Sequence, residues 1–123
     1  MKNIKKNKML PPTLKEKRHY LAIEILSKAR LHFKQVKVFL NKTVRDFLGH
    51  ETAKAGLQIL ELTHADEKYN LQVMQGILSV NRKYVLKIKA ALSLLKEINN
   101  HQSAVRVLGV SGTLKKLREK FLS

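Results

Sequence analysis

The sequence predicts an α+β fold of the ferredoxin-like (RRM-like) kind, a βαββαβ sandwich with a basic N-terminal tail and an extra C-terminal helix. Three observations predict it. Four segments carry strand-type patterning. Two others space apolar residues every three or four positions. Their order is strand, helix, strand, strand, helix, strand, then a short basic helix, which is the split βαβ arrangement. Right-handed crossovers put both helices on one face of a four-stranded antiparallel sheet, leaving the other face open or covered by the tails. A chain of 123 residues can build one small two-layer core and is too short for two domains.

Residues 1–17 read as the tail, with Lys2, Lys5, Lys6, Lys8, Lys15 and Lys17 around Pro11-Pro12. The prolines donate no N–H and favour an extended path. Such a tail is either a solubilising extension or an arm that orders on RNA. The domain proper is expected over residues 18–123. From Arg18 to Leu26 the chain alternates: Leu21, Ile23 and Ile25 share one face and Tyr20, Ala22 and Glu24 the other, the period of a half-buried strand. Residues 29–48 change to helical spacing, with Phe33, Val36, Leu40, Val44 and Phe47 as the core stripe and Lys34, Lys37, Asn41 and Arg45 as a basic one. Gly49 stands where a glycine stops a helix. Leu57–Ala65 and Leu71–Val80 read as a hairpin, joined by the polar segment 66–70 as a loop longer than two residues.

Helical spacing returns over residues 84–98, with Ile88, Ala91, Leu92, Leu95 and Ile98 on one face and Asn99-Asn100 as the stop. Ser103–Val110 is the fourth strand. It leads into Gly109-Val110-Ser111-Gly112-Thr113, read as a tight turn whose glycines permit backbone that a Cβ would forbid. Ser111 or Thr113 then caps a short basic helix. In that helix Leu114, Leu117 and Phe121 form the packing side, and Lys116 and Lys120 lie together.

Charge narrows the function. The 25 Lys and Arg against 9 Asp and Glu give +16, an excess that repels itself until a polyanion neutralises it. Nucleic acid is the commonest cellular polyanion. A membrane partner is not expected, because no run of 18 uncharged apolar residues occurs. The chain has no cysteine, and no apolar signal-peptide core follows the basic N-terminus, so a cytoplasmic protein is expected.

Catalytic motifs are missing. Histidines fall at 19, 32, 50, 64 and 101 without the i, i+4 spacing of a helical metal site, and no nucleophile motif, P-loop or dinucleotide fingerprint is present. His64, Asp66 and Glu67 read as an ordinary polar loop rather than a cation site. The strand Gln75–Arg82 lacks the aromatics on which RNA-recognition sheets stack bases, and Tyr20 is the one aromatic placed on the open face. Contacts to backbone phosphates are therefore the expected mode. The candidates are Lys15, Lys17, Arg18, Arg82, Lys83, Arg106, Ser111, Lys115, Lys116 and Arg118. The basic side chains supply charge, and Ser111 with the turn amides supplies phosphate hydrogen bonds.

Two motifs found together are specific. Leu10-Pro11-Pro12-Thr13-Leu14 runs through Lys15–Leu21 into the first strand, and Val107-Leu108-Gly109-Val110-Ser111-Gly112-Thr113 leads to the basic helix. Between them lie Gly76-Ile77-Leu78, Val80-Asn81-Arg82 and Ala90-Ala91-Leu92. Over roughly residues 9–122 the chain resembles the archaeal ribonuclease P protein component 2 family, whose eukaryotic relatives serve ribonuclease P and the related mitochondrial RNA-processing ribonuclease. The resemblance implies a ribonucleoprotein subunit. The holoenzyme removes the 5′ leader of precursor tRNA, and its RNA holds the active site and uses Mg2+. This family supplies no catalytic side chain and no bound cofactor. It implies as partners the ribonuclease P RNA, protein component 3 and other protein subunits, and precursor tRNA indirectly. Where the family tends to carry arginine around the Gly-Ile-Leu strand, this chain has Gln75 and Ser79, so RNA contact is not extended to that strand. The alternatives are a protein–protein interaction module, another basic structural RNA-binding protein of a ribonucleoprotein, or a stand-alone nuclease.

Overall fold

The computed structural model describes residues 17–121. The strand β1 (Arg18–Ser27) is followed by the helix α1 (Phe33–Leu48) and, after a 3-10 turn at Gly49–Glu51, by the short helix α2 (Thr52–Ala55). Then come β2 (Gln58–Lys68), β3 (Leu71–Asn81), a 3-10 turn at Arg82–Tyr84, and α3 (Val85–Ser93). The chain continues through β4 (Glu97–Ile98) and β5 (His101–Ser111) to α4 (Leu114–Phe121). The sheet order is β2-β3-β1-β5-β4, and every paired neighbour is antiparallel. Without β4 this is the ferredoxin-like order. The sheet is thus five-stranded rather than four.

β1 is central because both of its faces bury apolar groups. Leu21, Ile23 and Ile25 meet Val36, Leu40, Val44 and Leu48 of α1 and Ile88, Ala91 and Leu92 of α3 in the main core. Each such aliphatic side chain taken from water contributes roughly 1.5–3 kcal/mol. Both long helices therefore lie on one face. The α1 stripe differs from the expected one at its ends: Leu48 is buried, whereas Phe33 and Phe47 are 39% and 45% exposed. Val36, Leu40, Val44 and Leu48 keep a strict four-residue step, and the phenylalanines fall to its sides. His32 caps α1, its Nδ1 accepting from Lys34 N–H at 3.1 Å while Gln35 accepts from His32 N–H at 3.2 Å. Gly49 ends the helix with a φ of 59°, as its position predicts.

On the opposite face Ala22, Ile77 and Leu117 form a second cluster, with Tyr20, Leu108, Leu114 and Phe121 packed against it. That face is covered by α4. The packing side of α4 is the one its spacing predicts, and Tyr20 lies within it rather than free for a base.

Two expectations are corrected. The helix expected to Ile98 ends at Ser93, and Asn99-Asn100 is instead the turn of the β4–β5 hairpin, with φ of 53° and 68° at the two residues. Likewise segment 66–70 is not a long loop. Both strands run on to Lys68 and Leu71, and Tyr69-Asn70 alone makes the turn, with φ of 54° and 62°. Two successive positive φ angles mark the hairpin turn whose twist matches the strands.

Candidate nucleic-acid interface

The chain enters β1 beside the exit from β3. Arg82 N–H donates to the Lys17 carbonyl at 3.1 Å, and the Arg18↔Asn81 register places the start of one strand against the end of the other. Tyr20↔Ser111 then brings the end of β5 to the same end of the sheet. Lys17, Arg18, His19, Tyr20, Arg82, Gly112 and Thr113 line an open cleft of about 540 Å³ there. Asn81 holds the 3-10 turn at its rim, its Oδ1 accepting from Lys83 N–H at 2.9 Å.

The Gly-Val-Ser-Gly-Thr segment is only partly a turn. Gly109, Val110 and Ser111 remain in β5, paired with Ala22, Leu21 and Tyr20. Ser111 Oγ accepts from Thr113 N–H at 3.2 Å, and Thr113 Oγ1 accepts from Lys116 N–H at 3.3 Å, so Thr113 is the cap and Ser111 shapes the approach to it. Gly109 is required by close approach: a Cβ there would run into the ring of Phe121. Lys115 and Lys116 are exposed in the first turn of α4, next to the cleft's Thr113.

The sequence-predicted residues thus divide. Lys17, Arg18 and Arg82 line the cleft at the start of β1 and the end of β3, Lys83 and Ser111 are chain neighbours of its lining residues, and Lys115 and Lys116 follow Thr113. Within that group Arg18 is structurally engaged, its Nε donating to Ser79 Oγ at 2.6 Å and its Nη2 to the Ser79 carbonyl at 2.9 Å, and it also reaches the Gly56 carbonyl. Arg106 lies elsewhere, opposite Glu24 at mid-sheet, at 3.2 Å from its carboxylate. Arg118 reaches across to β2 and donates to both carboxylate oxygens of Glu61, which raises its pKa above the ordinary arginine value. Lys15 lies outside the described residues.

Sequence reasoning missed three participants. His19 lines the cleft. Lys68 pairs with the fully buried Glu24 at 2.8 Å, so that carboxylate sits between Lys68 and Arg106. Glu24 was legible only as an outward position of an alternating strand, and its partners come from 44 and 82 residues away. Among the described residues no three His, Asp or Glu side chains are grouped to hold a metal ion, and no helix is long and apolar enough to cross a membrane.

A cleft lined by Lys17, Arg18, His19 and Arg82, beside a capped helix start carrying Lys115 and Lys116, is suited to an anionic backbone. Comparison with known proteins places the chain in a family. The family model described as the Rpp14/Pop5 family matches residues 19–122. The chain is 37% identical to ribonuclease P protein component 2 of Pyrococcus horikoshii, over 98% of this chain and 95% of that protein. The proteins of the same name from Thermococcus gammatolerans and Methanococcus vannielii are 38% and 34% identical, covering 96% and 94% of this chain and 93% and 82% of theirs. In fold, it is similar to a chain in the cryo-EM structure of yeast ribonuclease MRP, with a TM-score of 0.53, 16% identity, and coverage of 85% of this chain and 91% of that one. A family match that runs from the start of β1 to the end of α4, together with relatives of this identity over nearly their whole length, makes the chain a member of the Rpp14/Pop5 family.

Proposed function

We propose that the chain is a protein subunit of ribonuclease P that supports the catalytic RNA in removing the 5′ leader of precursor tRNA. The observation that carries this reading is the near full-length similarity to archaeal ribonuclease P protein component 2. The cleft supplies a physical role. Lys17, Arg82, Lys115 and Lys116 neutralise phosphates where RNA helices crowd together, and the paired ends of β1, β3 and β5 with the start of α4 fix the spacing of those charges. The chain provides no catalytic group in this reading; it lowers the electrostatic cost of folding the RNA's catalytic domain, working with protein component 3, and Mg2+ acts on the RNA.

Reconstitution tests it. Ribonuclease P RNA is assayed for precursor-tRNA cleavage against Mg2+ concentration, with and without this chain and component 3. The expected result is cleavage at Mg2+ concentrations where the RNA alone is inactive. No rescue at low Mg2+, or cleavage by the chain without the RNA, overturns the reading.

A further inference from the structure

The helix α3 is apolar on two opposite sides. Its inner side buries Ile88, Ala91 and Leu92 in the main core. Its outer side carries Leu86, Ala90 and Leu94 at i, i+4 and i+8, all exposed, with Leu86 at 78% and Leu94, at the helical C-cap, at 55%. On a wheel of 100° per residue these two stripes face in opposite directions. Helices apolar all round are found buried, and a surface helix on so basic a chain has no local use for two exposed leucines on one line. On α1 the exposed Val38 stands singly among Lys34, Asn41 and Arg45, so the continuous apolar line belongs to α3.

The charges around the ridge define what covers it. Lys89 lies on one flank, Lys87 on the other, and Lys96 follows the C-cap. Lys87 is already held by Glu51 at 3.0 Å and lies over the Tyr84 ring. An RNA backbone would satisfy the lysines and leave both leucines in water. A second copy of the chain, packed on a two-fold axis, would set this basic fringe against itself. We infer that the outer ridge of α3 docks an amphipathic helix of another protein, one with a leucine-type seam flanked by acidic side chains. This inference does not depend on the RNA reading.

The test uses the full chain and two fluorescent synthetic helical peptides sharing one leucine seam, flanked in one by glutamates and in the other by lysines. The glutamate-flanked peptide is expected to raise its anisotropy on titration, and the lysine-flanked one is not. Leu86→Ser and Leu94→Ser should each weaken binding about tenfold while leaving thermal melting unchanged, since both side chains are exposed. Lys89→Glu should weaken it as well. Affinity for ribonuclease P RNA should be the same in the leucine variants as in the parent. Equal binding of the two peptides, no binding of either, or binding indifferent to Leu86→Ser overturns the inference. So does self-association in sedimentation that disappears with Leu86→Ser, or RNA affinity that falls with it. Loss of RNA binding in the parent with peptide binding intact would remove the proposed function and leave this inference standing.

Discussion

At the scale of single residues, buried charge and unpaired cations decide more than composition does. Glu24 is fully buried between Lys68 and Arg106, with Ile23 and Ile25 on either side of it in β1 and Gln75 opposite it in β3. Its desolvation is offset only while both cations stay, so Arg106 has a structural duty before any duty to RNA. A second charge problem sits at the start of α1. His64 packs its ring against Phe33 at 5.1 Å, and burial, then Arg30, then His32 push its pKa below the ordinary imidazole value. A depressed histidine pKa means the unfolded chain takes up the proton first, so stability is complete above the ordinary value near 6.5 and falls as pH drops from there through the lower folded value. Thermal melts at pH 7.5 and 5.5 should therefore show a falling Tm. His64→Gln should flatten the dependence. An unchanged slope in this variant would show that His64 is not the cause.

At the scale of elements, the sequence was readable where pattern and packing agree and misleading where an apolar period outran its helix. Leu21, Ile23 and Ile25 alternate and are buried together, so β1 was legible. Ile88, Leu92, Leu95 and Ile98 also keep helical spacing, yet Leu95 and Ile98 are buried from a loop and a two-residue strand. The informative signal was Asn99-Asn100, since asparagine tolerates the left-handed region that such a turn demands twice. Replacing both with alanine should cost about 1–2 kcal/mol at each position, and replacing both with glycine should be nearly neutral, as read by chemical denaturation. The docking of α4 was half legible. Its leucines and Phe121 were placed correctly by spacing, but the reason for Gly109 was not turn geometry, because only the fold shows the Phe121 ring lying on it. Gly109→Ala should destabilise the chain by about 1–3 kcal/mol through overpacking. In a Phe121→Ala background the same change should cost close to nothing, a non-additivity that an independent turn requirement would not produce.

For the whole molecule, a net charge of +16 favours any polyanion at low salt, so affinity alone would say little about a site. The distribution of engagement says more. Arg18, Arg106 and Arg118 read in the sequence as interchangeable with Arg82 or Lys116, yet three of these guanidinium groups are tied to Ser79, Glu24 and Glu61, because their partners lie on strands far away in sequence. Counterion release separates the two kinds. Each phosphate neutralised contributes somewhat under one to the slope of log affinity against log salt. Replacing Arg82, Lys115 and Lys116 with alanine should therefore lower the slope for ribonuclease P RNA by about two to three, with melting unchanged because all three side chains are exposed. Arg106→Ala should do the reverse, lowering Tm by leaving Glu24 with one cation while moving the slope little. Filter binding across a salt series, paired with a melt of each variant, reads both quantities. A slope that drops equally for Arg106→Ala and for Arg82→Ala would mean that charge count, and not the cleft at the edge of β1 and β3, governs the encounter with RNA.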